Sequence, residues 1–449
     1  MRDSAIYGRI LKSDSWFEGT LLVEGGRIAE IVKGRPLRSA AGEFHDFGNS
    51  YIMPGVVDTH VHLRDPGMTG KEDFFTGTRS AAFGGVTTVL DMPNTLPPVT
   101  DFETLDQKNK IASQSSVVDY GLYLGILDDN RPDIVDDEAF SRGGVPGPAA
   151  YKCFMGRSTG GMVLSDLNRL GPVAKYAEKV SRKLAVHPED GSVLARSEKK
   201  NASGGLLKTH LKRRPPLAES TAISKLKRIC GGSPGPVHLL HVSSEDGIRE
   251  ATGSGFSLEV TPHHLFLDID SAGRLENPAL GKVNPPLRRS SDRSSLWSAL
   301  NSGVVNTIGS DHAPHTVGEK DMGIDSPSGM PGVETTLPLL LNEVRSRRIN
   351  IIRLLELLCH NPRKLFGIRR KGSLHPGYDA DVVVFDPSRP RKIRSEELHS
   401  KCGWTAFEGM EGIFPEAVFS RGELIVEGEN LVAKAGRGEN IAEYRPDPR

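Results

Sequence analysis

"PGVVDTHVHLRDPG", residues 54–67, runs an apolar, β-branched stretch straight into two histidines, an arginine and a Pro-Gly turn. Valines of this kind favour a pleated strand, and at a period of two His60 and His62 share one of its faces. Seven more short apolar runs follow: "GVTTVLDMPNT" (85–95), "VVDYGLYLGIL" (117–127), "PAAYKCFM" (148–155), "KLAVHPED" (183–190), "PVHLLHVSS" (236–244), "FSLEVTPHH" (256–264) and "VVNTIGSDHAPH" (304–315). Between them lie segments with helical signals, such as "KEDFFTGTRSAAFGG" (71–85) and "SDLNRLGPVAKYAEKVSRK" (165–183). Eight β-then-α units in a row predict a parallel sheet, and eight is the number that closes a (β/α)8 TIM barrel. A doubly wound open sheet would call for a Gly-rich phosphate turn, and no GxGxxG follows the first strand.

The flanks read differently. "GTLLVEGGRIAEIVKG" (19–34) alternates around a Gly-Gly turn, and "GSLHPGYDADVVVFDP" (372–387) and "AVFSRGELIVEGENL" (417–431) are again strand-turn-strand. Residues 1–54 and 368–449 are therefore expected to form one small β-sandwich domain from both termini, around a catalytic barrel of residues 55–367.

Lys+Arg and Asp+Glu balance at 57 each, so net charge favours neither nucleic acid nor an anionic membrane as partner. The basic cluster "HLKRRPP" (210–216) reads as a solvated loop. Four cysteines, at 153, 230, 359 and 402, have no CxxC spacing and suit a reducing compartment. No apolar leader or membrane-length stretch is visible, and the expectation is a cytoplasmic enzyme.

Barrel chemistry sits at the C-terminal ends of the strands. Here those ends carry His60 and His62 on the first strand, Lys152 on the fourth, His187 on the fifth, His241 on the sixth and Asp311 on the eighth. Imidazoles with a carboxylate suit a borderline ion such as zinc. His45, His210, His375 and His399, standing alone, read as surface or hydrogen-bonded residues. Lys152 is no ligand as an ammonium, and beside two cations it must lose its charge. Its neutral amine could add carbon dioxide and bridge two metals as a carbamate; a structural ion pair or a substrate-binding lysine are the other readings.

"MPGVVDTHVHLRDPG", "GGVTTVLDMPNT", "YKCFMG", "VHPED", "LLHVSS", "TPHHL", "KVNPPLR", "GSDHAPH", "SGMPGVETTLP" and "GYDADVVVFD" together resemble the cyclic amidohydrolases of the metal-dependent amidohydrolase superfamily, nearest its dihydroorotase branch. The resemblance implies two Zn2+ ions per subunit: His60 and His62 with Asp311 at the more buried one, His187 and His241 at the second, and carboxylated Lys152 with a hydroxide bridging both. It implies that Asp311 shuttles the proton, that Arg64, Asn94 and His315 hold a substrate carboxylate, and that Asn284 meets the ring's polar edge. The loop 328–332, with Pro331 and Gly332, would contact substrate through its backbone. The implied reaction is reversible hydrolysis of dihydroorotate to N-carbamoyl-aspartate, in pyrimidine biosynthesis. A homodimer or homotetramer, and association with aspartate carbamoyltransferase, are further expectations. Some bacterial members carry aspartate where this chain has Lys152, a lysine shared with allantoinases and hydantoinases. Those enzymes are the nearest alternative, and Arg64 and Asn94 argue against them because their substrates lack the matching carboxylate. An inactive scaffold homologue is the alternative of another class, and the complete ligand set speaks against it.

Overall fold

All eight apolar runs form strands. The computed structural model describes residues 2–12, 15–36, 41–141, 146–158, 161–198 and 205–443. The N-terminal stretch supplies β1 (Arg2–Lys12), β2 (Ser15–Glu24), β3 (Arg27–Lys33) and β4 (Ala41–Pro54). The barrel strands are β5 (Val56–Val61), β6 (Val86–Asp91), β7 (Asp119–Gly125), β8 (Ala150–Phe154), β9 (Leu184–His187), β10 (Val237–Leu239), β11 (Ser257–Val260) and β12 (Thr307–Ile308). They form one eight-stranded sheet in sequential order, every neighbouring pair parallel. A parallel bridge between Val61 and His312 joins its two edges and closes the cylinder. β5 to β9 are buried at every position, as strands covered on both faces must be. The helices fall where the polar segments stand, for example Phe74–Phe83, capped by Asp73, and Leu170–Lys179.

The C-terminal stretch supplies β13 (Val382–Phe385), β14 (Arg391–Lys392), β15 (Glu411–Gly412), β16 (Ala417–Ser420), β17 (Glu423–Glu427) and β18 (Asn430–Leu431). β4 is the seam of the small sandwich: it pairs with β1 in parallel and with β13 antiparallel. The sandwich is thus one continuous sheet, ordered β18-β17-β16-β13-β4-β1-β2-β3. Ile6, Leu21 and Ile52 pack against Val382, Val384 and Phe419 in its core.

Residues 386–414 leave that sheet. β14 and β15 pair with each other, and Ile393, Trp404 and Phe407 pack on Val283, Met330 and Leu339 of the barrel. Trp404 donates from Nε1 to the His315 carbonyl at 2.7 Å, so part of the C-terminal stretch supports loops at the barrel's mouth. Below the barrel, the buried Lys371 ammonium reaches Asp119 at the base of β7 (2.5 Å) and Asp379 and Asp381 beside β13 (both 3.0 Å).

Candidate active site

The strand ends converge. Asp311 Oδ1 lies 3.2 Å from His60 Nε2 and 3.1 Å from His62 Nε2, and these three buried residues form a compact set of potential ligands. His187 and His241 make a second pair, Nδ1 to Nε2 at 3.0 Å. Lys152 lines the same cavity. Burial lowers its ammonium to about 8, although Asp311 and Glu259 pull the other way. Burial also drops His62 to about 3, so its imidazole is neutral and able to ligate. Asp311 lies below the usual carboxylate range: burial opposes ionisation, and the imidazoles of His60 and His62 outweigh it.

The backbone is bent to aim these groups. His241 and Asp311 have φ of 39° and 46°, and Arg64, just past His62, has 65°. Positive φ is uncommon in non-glycine residues and collects at functional sites.

A layer of acids and amides sits behind the histidines. Glu259 accepts from His60 Nδ1 at 2.7 Å, Asn94 Oδ1 from His62 Nδ1 at 2.7 Å, and Glu189 from His187 Nε2 at 2.8 Å. Each contact fixes a tautomer and turns the other ring nitrogen inward, as metal-binding histidines require. His60 Nε2 and His241 Nδ1 are buried with no hydrogen-bond partner, an expensive state for a polar atom that a cation would relieve. The donor set therefore fits a metal. Gly309 permits the packing behind His60, since a Cβ there would stand 2.3 Å from Glu259 and 2.8 Å from the His60 side chain. Asp91, at the end of β6, accepts from the Leu63 N–H at 2.7 Å and so holds the backbone between His62 and Arg64.

Sequence reasoning passed over Glu259, Glu189 and Asp91. The signal was present for Glu259: an acid in the middle of an apolar strand, "SLEV", must be buried and must have a partner. The basic cluster 210–216 is corrected by the structure. His210 is buried and bonded to the Val283 carbonyl (2.8 Å), and Arg214 pairs with Glu189 behind His187. Helix Leu206–Arg213 brings this stretch against the barrel rather than into solvent. His375 and His399 sit elsewhere, bonded to Ser373 (2.6 Å) and Glu334 (2.8 Å), and His45 lies 3.5 Å from Glu43.

The cavity encloses about 370 Å³ including its open mouth. Besides the metal-ligand candidates, Arg64, Asn94, Asn284, Ser328 and Gly329 line it. Arg64 is 2% exposed and so is no surface residue. Burial lowers its guanidinium only to about 10, which leaves it charged. Its Nε donates to the Pro314 carbonyl at 3.2 Å, and Nη2 lies 3.2 Å from His315 Nε2. Among the described residues no carboxylate forms an ion pair with it. Asn284 donates to Ser158 at 3.3 Å, while its Oδ1 is buried without a partner. Gly329 has φ of 146°, and a Cβ there would meet the Ala313 carbonyl at 2.4 Å; only glycine lets this loop approach so closely. Pro331 and Gly332 line a separate, smaller cavity with His312 and Trp404.

Residues 51–425 match the model described as the Amidohydrolase family. The chain is 37% identical over 446 residues to a protein named Dihydroorotase from Methanosarcina acetivorans, spanning 96% of this chain and 93% of that one. It is 34% identical over 449 residues to one of the same name from Pyrococcus abyssi, spanning 98% and 99%. Among solved structures, L-hydantoinase (dihydropyrimidinase) from Arthrobacter aurescens matches with a TM-score of 0.90 at 30% identity, over 98% of this chain and 100% of that one. Dihydropyrimidinase from Brevibacillus agri matches with a TM-score of 0.88 at 28% identity, over 98% of each.

Proposed function

The chain belongs to the amidohydrolase family, and from that premise we propose that it catalyses the reversible hydrolysis of dihydroorotate to N-carbamoyl-aspartate. One observation carries the choice of substrate. A buried, charged guanidinium with no carboxylate partner, Arg64, stands beside the metal-ligand cluster. Asp311, Asp91, Glu319 and Glu72 act on its charge without forming an ion pair with it, and the dihydroorotate carboxylate would pair with it directly through charge-assisted hydrogen bonds. The relatives named Dihydroorotase at 34% identity and above support the same reading.

His60, His62 and Asp311 would hold one zinc ion and His187 and His241 a second, with Lys152, carboxylated, between them. The lowered Lys152 amine is the form that adds carbon dioxide. Metal ions in such a site make water nucleophilic near neutral pH and polarise a carbonyl. The chain's own groups supply the rest. Arg64, Asn94 and His315 hold the carboxylate and so orient the ring. Asn284 offers its buried, unpaired Oδ1 to a ring N–H, and the backbone at 328–329 closes the same wall; Pro331 and Gly332 would act through that backbone. Asp311 accepts the proton released when the amide is attacked and gives it to the departing ring nitrogen, as base and then acid.

The four cysteines are buried and unpaired, which supports a cytoplasmic location. Among the described residues no helix is long and apolar enough to cross a membrane. In the ring-closing direction the substrate is the product of an aspartate carbamoyltransferase, which supports association with that enzyme; a homodimer or homotetramer is proposed on the family resemblance.

The structural likeness to hydantoinases favours one second reading, ring opening of hydantoins or dihydropyrimidines. Ring-opening rates for dihydroorotate, allantoin, hydantoin and dihydrouracil, measured side by side, decide between them. Sites built around a polar group reject analogues lacking it by about 10⁴–10⁵-fold. Dihydroorotate should exceed dihydrouracil in kcat/KM by a factor of that order. A preference for dihydrouracil, hydantoin or allantoin overturns the proposal.

A further inference from the structure

His315 sits between two cations. Its Nδ1 is 3.2 Å from the Lys71 ammonium, and its Nε2 is 3.2 Å from the Arg64 guanidinium and 3.2 Å from the Ser328 carbonyl. An ammonium can only donate a hydrogen bond and a carbonyl can only accept one. With Nδ1 accepting from Lys71 and Nε2 carrying the hydrogen it gives to Ser328, two of the three contacts are satisfied, and the opposite tautomer satisfies only the one to Arg64. That assignment leaves the Arg64 N–H facing another N–H. The contact is unfavourable as it stands, and an anion's oxygen placed beside both would accept from the guanidinium and share the imidazole hydrogen with the Ser328 carbonyl. Burial, together with Arg64, Lys71 and Lys320, holds the His315 imidazole neutral, in keeping with a single ring hydrogen.

Lys71 is itself held in place. Glu319 Oε1 binds its ammonium at 2.7 Å, and its side chain is 21% exposed. The other Glu319 oxygen is 3.8 Å from His315 Nδ1, beyond hydrogen-bonding distance. The Thr316 N–H fixes that oxygen at 3.0 Å. Arg64 and Ser328, the two neighbours of His315 Nε2, line the cavity, whereas His315 and Lys71 do not; Lys71 is one residue further from the substrate and acts on it through the imidazole.

We infer that Lys71 is a positioning residue that sets substrate specificity: it locks His315 as the Nε2–H tautomer, so that His315 and Arg64 present two N–H donors that an anionic substituent bridges. The inference rests on the proposed reaction for the identity of that substituent, a carboxylate, but not for the tautomer.

Two measurements on the metal-loaded protein test it. Nitrogen-15 spectra of the histidines should show His315 as Nε2–H. In Lys71→Met, Glu319 loses its cation at Oε1 while Thr316 keeps Oε2 in place, which makes Glu319 the acceptor nearest Nδ1, so the hydrogen should move to Nδ1. In the same variant KM for dihydroorotate should rise about 10–100-fold, the worth of a hydrogen bond to a charged group, with kcat and metal content little changed. Lys71→Arg keeps a cationic donor beside Glu319 and should restore most of the affinity, which excludes a folding defect. In a His315→Phe background Lys71→Met should add nothing, because the two act as one unit. An Nδ1–H tautomer in the unmodified protein overturns the inference, as does an unchanged KM in Lys71→Met or additive losses in the double variant. If the unmodified protein does not turn over dihydroorotate, the proposed reaction falls, and the spectra alone decide the role of Lys71.

Discussion

The proposed reaction asks two things of Asp311, to ligate a metal and to carry a proton, and its geometry is compatible with both. Oδ1 faces His60 and His62 at 3.2 and 3.1 Å, and positive φ at Asp311 tips the carboxylate from the strand end into the cavity. Asp311→Asn keeps the shape and one ligating oxygen while removing the basic group. General acid–base catalysis is worth about 10²–10⁴-fold; kcat should fall by at least that, with KM changed far less and metal retained on elemental analysis. A near-normal kcat would place the proton shuttle elsewhere. The ligand candidates were legible in the sequence because each imidazole terminates an apolar run. Their supports were less so, Glu259 alone standing out as an acid inside an apolar strand. Glu259 reaches His60 across 199 residues of chain and Glu189 is two residues from His187, and neither spacing has a period that distinguishes a support from a surface acid.

At the scale of elements, the strands announced themselves by burial on both faces, whereas residues 386–414 gave no comparable pattern. Their aromatic residues follow neither a period of two nor one of 3.6, because they fill a gap between existing elements and form only the short pair β14–β15. Lys401 binds the Thr69 carbonyl (2.7 Å) and Asp73 (2.8 Å), so this segment ties the loop after β5 to the loop after β12. Trp404 is the link to the candidate carboxylate site. Trp404→Phe keeps the ring under Lys320 but removes the N–H that satisfies the His315 carbonyl. Leaving a buried acceptor unpaired costs about 1–3 kcal/mol, so the midpoint of chemical denaturation should drop accordingly. KM for dihydroorotate should rise while metal content stays constant. An unchanged KM would show that the segment braces the fold without reaching the site.

For the molecule as a whole, the barrel and the terminal sheet are joined by a buried charge cluster. Lys371 and Arg421 keep Asp119 below the usual carboxylate range against the pull of burial, whereas burial keeps Asp381 above it. Removing one partner of a buried ion network costs about 3–5 kcal/mol, and Lys371→Met should lose that much in equilibrium unfolding. The sign of its pH dependence follows. In this variant Asp381, already held above the usual carboxylate range by burial, loses the ammonium that pulls it down, so its folded-state value lies further above the unfolded one. Stability is then present at low pH and lost as pH rises through the folded value, so the variant should be weaker at about pH 8 than at about pH 5. Equal losses at both would mean the carboxylates are not coupled through Lys371. The path of the chain has a last consequence, for its birth on the ribosome. Every residue of the metal cluster is made by position 311, yet the brace that Trp404 sets under His315 comes later, and β4 waits more than 300 residues for β13. A chain cut between residues 332 and 404 thus carries every ligand and pocket candidate but lacks both the Trp404 brace and the β13 partner of β4, so such a product should hold substrate weakly and compete little for it.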